Sequence, residues 1–136
     1  MSEPAAIVRE FCDLMVKRDP EALRPLLADD AVYQNVGTPA FTGPSAIVEN
    51  LGVQFSVFPD SYEYKTLNLV ADGEVVMTER LDLVRLPSGE IAGVPVMGTF
   101  VVRNGRIQRW TDYWDTALVM KMMTGEDFSA LVPAEG

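Results

Sequence analysis

The chain contains no histidine. That absence excludes Ser-His-Asp and Cys-His nucleophilic sites and most zinc sites. Proton transfers made without a cofactor must then run mainly through carboxylates, tyrosine, lysine or cysteine. Cysteine is nearly absent too. With Cys12 alone, no disulfide can form within the chain, which fits a reducing cytoplasm. No apolar run is long enough to cross a bilayer, and "MSEPAAIVRE" lacks the basic segment and long apolar core of a signal peptide, so a cytoplasmic location is expected. Positive charge is scarce: 11 Lys and Arg, scattered, stand against 20 Asp and Glu, for a net charge of −9. Phosphate backbones and anionic membrane surfaces need clustered basic residues, so neither nucleic acid nor a membrane is expected as partner. Gly-rich phosphate loops and dinucleotide fingerprints are missing as well, and no cofactor or metal is expected.

What is present reads as one domain over residues 1–136, long enough for a real core, with a loosely ordered tail from about residue 126. "PAAIVREFCDLMVKRD" carries Ile7, Phe11, Leu14 and Met15 at helical spacing, with Val8 and Cys12 beside them. "DPEALRPLLADD" opens on Asp19 as N-cap and Pro20 at the first helical position, and Pro25 keeps it short. "AVYQNV" is a strand ended by "GTP". A helix carrying Ile47, Val48 and Leu51 follows, ending near Phe55. Strand patterns then take over: "YEYKTLNLV", "EVVMTERLDLVRL", "IAGVPVMGTFVV" and "RIQRWTDYWD", separated by the turn signals "ADG", "PSG" and "NG". "TALVMKMM" is a last helix. Helices followed by an antiparallel meander give an α+β class, one curved sheet with helices on its concave side. Met15, Met120, Met122 and Met123 read as core filler rather than a cofactor box.

Within "VVMTERLDLV", Arg80 and Asp82 stand two apart and so on one face of a strand. An exposed ion pair is the ordinary explanation. The turns bear on the choice. "PSG" and "RNG" both suit a three-residue loop ending in a left-handed glycine. If both are used, Leu86 pairs with Glu90 and Val102 with Arg106. Arg80 then lies opposite Val96, itself opposite Asp112, and Asp82 faces Val94, itself opposite Trp114. Arg80, Asp82 and Asp112 share a mostly apolar face with Val76, Val84, Val94, Val96, Trp110 and Trp114. The Arg80 and Asp112 backbones would be roughly 10 Å apart, two strand spacings, within reach of an extended guanidinium. "NG" equally suits a two-residue turn, which shifts the parity and throws Asp112 to the opposite face.

Three segments bear on function: "YQN" at 33–35, "TERLD" at 78–82 and "WTDYWD" at 110–115. In order and spacing they resemble the limonene-1,2-epoxide hydrolase family, over about Ile7 to Val119. The resemblance implies a cone-shaped fold like nuclear transport factor 2, with a mixed, mostly antiparallel sheet around one deep pocket, and a homodimer. It implies an Asp-Arg-Asp triad carried by Asp82, Arg80 and Asp112, and a water-positioning pair, Tyr33 and Asn35. It also implies Asp112 as base and Asp82 as acid; the residues alone do not tell them apart. The implied substrates are water and a small lipophilic epoxide, cyclic or terpene-like. The pocket walls expected from the register are Val84, Val94, Val96, Trp110 and Trp114; the resemblance adds Met15, Phe58 and Val119. Two residues depart from the family pattern. Thr111 replaces an arginine and points away from the pocket, and Trp114 stands where phenylalanine is typical.

Each candidate also has a structural reading. Tyr33 and Asn35 could simply end a strand, and Asp112 could accept from a tryptophan N–H. The same fold serves ketosteroid isomerases, polyketide cyclases and non-catalytic ligand-binding dimers. An isomerase, however, would want a Tyr or protonated Asp facing a lone base, not an arginine between two aspartates. The other face of the central strand carries Val75, Met77, Leu81 and Leu83, interrupted by Glu79, and should meet core or a partner subunit.

Overall fold

Each element begins where a local signal ends the one before. The computed structural model describes residues 2–57 and 63–133; Phe58 and the last three residues of the tail lie outside them. Helix α1 (Glu3–Val16) starts at Ser2, whose hydroxyl accepts the Ala5 N–H at 3.3 Å. Its buried stripe, Ala5, Val8, Phe11, Cys12 and Met15, recurs at three- and four-residue spacing. Arg18, in the left-handed region at φ 62°, turns the chain into α2 (Pro20–Leu23), which Pro25 converts to a 3-10 turn (Arg24–Leu26).

Strand β1 (Leu27–Asn35) begins earlier than "AVYQNV" because Leu27 and Ala28 are also buried. A short strand β2 (Phe41–Thr42), within a stretch read from sequence only as turn and helix start, pairs back onto β1. Helix α3 (Pro44–Val57) follows, then β3 (Glu63–Asp72), β4 (Val75–Arg85), β5 (Ile91–Arg103), β6 (Arg106–Tyr113) and α4 (Thr116–Met123), the last capped by Asp115, whose Oδ1 accepts the Leu118 N–H at 3.0 Å.

The sheet order is β2-β1-β6-β5-β4-β3. β3 to β6 form the expected antiparallel meander, while β1 joins β6 in parallel. The molecule is α+β with a mixed, open sheet. On its inner face β5 alternates cleanly: Ala92, Val94, Val96, Gly98, Phe100 and Val102 are buried. Two apolar clusters result. One joins α1, α3, β1 and the inner face around Val76, Phe100 and Trp110. The other joins α4 to Val84, Val94 and Val96. Along β4, Thr78, Arg80 and Asp82 are the inward residues between Val76 of the first cluster and Val84 of the second.

The register differs from expectation at one hairpin. "PSG" forms the three-residue loop: Leu86 N–H donates to the Glu90 carbonyl at 2.7 Å, and Gly89 sits at φ 91°. Arg80 accordingly pairs with Val96 and Asp82 with Val94. "NG" instead forms a two-residue turn, Arg103 pairing with Arg106, with Asn104 and Gly105 at φ 54° and 75°. Positive φ at both central residues matches the twist of the strands it joins. That turn alone would have sent Asp112 outward. A bulge cancels it: Val102 pairs with Ile107, but Val101 pairs with Arg109, so Gln108 is extra. The expected pairs Val102–Arg106, Val96–Asp112 and Val94–Trp114 are therefore incorrect. Asp112 lies opposite Gly98, and Trp114 lies beyond the end of β6. Two one-residue shifts restore the parity, and Asp112 faces inward.

Candidate functional site

A guanidinium has five N–H donors in a fixed plane and no acceptor. Arg80 is fully buried, so each donor needs a partner, and each has one. Nε donates to Asp82 Oδ1 and Nη2 to Asp82 Oδ2, both at 3.1 Å. Nη2 also donates to Asp112 Oδ2 at 3.1 Å, and Nη1 to Asp112 Oδ1 and Thr78 Oγ1, both at 3.2 Å. Both aspartates are thus held bidentately by one cation. The Tyr64 ring lies 4.2 Å below the guanidinium carbon, which favours a cation over its face. Burial works against the Arg80 charge, but the charges of Asp112 and then Asp82 outweigh it and hold its pKa well above the ordinary value.

The two carboxylates live in different surroundings. Three N–H donors converge on Asp112, two from Arg80 and the Trp110 indole at 2.9 Å on Oδ1, an arrangement made for an acceptor-only group. Asp82 has Arg80 as its side-chain partner and lines the cavity. Desolvation raises its pKa from 3.8 to about 6 although Arg80 pulls the other way; the Asp112 charge adds to the rise. Because the folded-state value lies above the unfolded one, the native protein binds this proton more tightly. The corresponding stability is fully present below about pH 4 and is lost as pH rises through about 6.

On β1, Tyr33 and Asn35 face inward beside Asp112; Asn35 pairs with Asp112 in the ladder. The Tyr33 ring stacks on Trp110 with centroids 3.8 Å apart. Its hydroxyl accepts from Asn35 Nδ2 at 2.9 Å and from Gln54 Nε2 at 3.1 Å. Burial, then the nearby Asp112 charge, pushes the phenol up to about 12, so it stays protonated at neutral pH. A cavity of about 280 Å³ opens onto these groups, walled chiefly by Val84, Val94, Val96, Trp114 and Val119. Among the described residues, no group of three or more Cys, Asp or Glu side chains is placed to hold a metal ion. Burial pushes the Cys12 thiol up to about 11, which leaves it inert as a nucleophile.

The limonene-1,2-epoxide hydrolase catalytic domain matches residues 2–125. The chain belongs to this family. Epoxide hydrolase EphG of Mycobacterium tuberculosis (strain ATCC 25618 / H37Rv) is 30% identical over 128 residues, 93% of this chain and 83% of that protein. Among solved structures, an LEH-like epoxide hydrolase of M. tuberculosis is 29% identical, superposes with a TM-score of 0.76 and covers 97% of both chains. An NTF2-like protein of unknown function from Burkholderia pseudomallei K96243, 19% identical with a TM-score of 0.77, covers 91% of this chain and 99% of its own; that likeness is one of fold.

In this member of the family, Asp82, Asp112, Tyr33 and Asn35 line one cavity, Arg80 lies buried behind the two aspartates it holds, and Val84, Val94, Val96, Trp114 and Val119 stand at the cavity wall. Met15 and Trp110 belong to the apolar core rather than to that wall. Trp110 reaches the site through its N–H on Asp112 and its stacking on Tyr33, so Asp112 does accept from a tryptophan. Thr111 pairs with Thr99 on the other face.

Sequence reasoning did not find Gln54, Thr78, Tyr64 or Gly98. Gly98 carried a signal, since a glycine inside a strand often marks a close approach. A Cβ there would collide with Arg80 Nη1 and come within 2.7 Å of Asp112 Oδ1 and 3.0 Å of Thr78 Oγ1. The guanidinium lies over the bare backbone on its way to Asp112. Gly98→Ala should therefore displace Arg80, lower epoxide turnover by about 10²-fold or more and cost roughly 1–3 kcal/mol in denaturant unfolding. Normal activity and an unchanged midpoint would mean that Arg80 does not pass over Gly98.

Proposed function

We propose that this protein adds water to a small lipophilic epoxide, cyclic or terpene-like as in limonene oxide, and releases a vicinal diol in one step. The observation that carries the reading is the Arg80 guanidinium holding two aspartates of different environment at the floor of an apolar cavity. Opening an epoxide needs a base to take a proton from water as its oxygen attacks carbon, and an acid to protonate the ring oxygen as the C–O bond breaks. Asp112, surrounded by N–H donors, is the base. Asp82, its proton held up to about pH 6, is the acid. Tyr33 and Asn35 hold the water against Asp112. After the diol forms, Asp112 carries the proton and Asp82 has lost one, so a proton passes back before the next turnover. A covalent route through Asp112 would leave an ester that needs its own hydrolytic base, most often histidine, and the chain has none.

The cavity is at the small end of ligand sites, and its apolar wall favours compact hydrocarbon epoxides over charged ones. The experiment is a single turnover of cyclohexene oxide or limonene oxide in ¹⁸O-labelled water. Labelled diol on the first turnover is expected, and Asp112→Asn should lower turnover by at least ~10². Removing that charge also leaves Asp82, among the described residues, as sole counterion to Arg80, so the acid is lost with the base. Unlabelled first-turnover diol would overturn direct attack, and no diol from any epoxide would overturn the reading itself.

The protein also acts as a homodimer in this proposal. On the outer sheet face Met77, Met97 and Tyr113 are each about half exposed, at 47%, 48% and 51%, with Val75 beside them. An apolar sheet face of this kind is a subunit contact. Sedimentation at micromolar concentration should give a dimer; a monomer would remove the outer face from the account.

A further inference from the structure

The two ends of an asparagine amide have nearly the same shape but opposite hydrogen-bonding character. Which end faces which neighbour is therefore decided by the neighbours. Around Asn35 one neighbour leaves no choice. The indole N–H of Trp114 can only donate, and it lies 3.0 Å from Asn35 Oδ1. A flipped amide would set N–H against N–H in a half-buried site. With Oδ1 held by Trp114, Nδ2 must face Tyr33, whose hydroxyl accepts it at 2.9 Å. Gln54 Nε2 donates to the same oxygen at 3.1 Å, and itself bridges to Asn50 Oδ1 at 2.8 Å. Two acceptances fill the Tyr33 lone pairs, so the capacity left to that hydroxyl is its proton.

We infer that Trp114 is a positioning residue: through its N–H it fixes the polarity of Asn35, and through Asn35 it directs the Tyr33 proton into the cavity. The inference rests on the proposed hydrolysis for its consequence. A water there donates one proton to Asp112 and the other to the second lone pair of Asn35 Oδ1, accepts from Tyr33, and keeps one lone pair for the epoxide carbon. If the amide flips, Asn35 Oδ1 takes the Tyr33 proton and Nδ2 faces outward. The water then loses both partners that aim it. Trp114 sits between the end of β6 and the Asp115 cap of α4, so its ring is placed by two rigid elements. This gives the tryptophan a role that a phenylalanine in its place cannot fill, in addition to its place in the cavity wall.

Trp114→Phe keeps an aromatic wall and removes only the N–H. It should lower kcat by about 10-fold and leave KM within about twofold, because orientation and not binding is lost. The deciding measurement is the cycle with Asn35→Ala. If Trp114 acts through Asn35, Trp114→Phe causes no further loss in the Asn35→Ala background. An equal fold-loss in both backgrounds, or an effect on KM alone, would make Trp114 a wall residue and overturn the inference. The hydrogen bond is also read without substrate, from the Trp114 indole ¹H–¹⁵N resonance, identified by its loss in Trp114→Phe. It should shift on Asn35→Ala; a resonance that does not move overturns the inference whatever the activity. A shifted resonance in a protein that turns over no epoxide would retire the hydrolase reading and leave the amide assignment standing.

Discussion

A buried guanidinium that must satisfy five donors is the demand around which the inner face is built. Removing a charge from water costs several kcal/mol even after relaxation, and Arg80 is fully buried. Two carboxylates and a threonine repay that cost only because each donor finds an acceptor. The arrangement in turn constrains its surroundings. Asp82 must lie two residues along the same strand. Asp112 must arrive on the same face from β6. Gly98 must carry no side chain, because the guanidinium lies over it. Tyr64 must present its ring rather than a second cation. Losing any one partner would leave charge in a dry site, so the group is kept or lost as a unit.

The same demand separates the aspartates chemically. One cation cannot fully compensate two desolvated anions, and the deficit falls on Asp82, which among the described residues has no donor to match the Trp110 N–H on Asp112. The polar groups on β1 and α3 form a second chain, from Gln54 through Tyr33 and Asn35 to Trp114, that runs beside the first where Asn35 pairs with Asp112 in the ladder. Both chains lie at the junction of the two apolar clusters, where an inward polar residue finds a cavity and not another aliphatic side chain. In the proposed reaction, the first chain supplies the protons and the second aims the water.

Much of this was legible in the sequence because it is periodic. Arg80 and Asp82 share a face by strand alternation, and "PSG" fixed their partners on β5. The inward Asp112 was legible only in outcome: its expected partner was Val96, and it pairs with Gly98 through a tighter turn and a compensating bulge at Gln108. Bulges depend on how the flanking strands twist and pack, and the local residues around Gln108 carry no such signal. The parallel docking of β1 on β6 and the approach of Gln54 from α3 are long-range contacts with no period to betray them. Trp110 matched the alternation of a wall residue, but Phe11, Phe100 and Tyr33 close around it, and it became core.

The central claim is that burial beside Asp112 keeps the Asp82 carboxyl protonated well above the usual carboxylate range, although Arg80 pulls the other way. The most direct test is a pH titration of the Asp82 side-chain carboxyl carbon by NMR, assigned through Asp82→Asn. A midpoint near pH 6 is expected, with a downward shift when Asp112→Asn removes the neighbouring charge that raises it. An Asp82 carboxyl that titrates like an ordinary aspartate, ionised from about pH 4 upward, would contradict it.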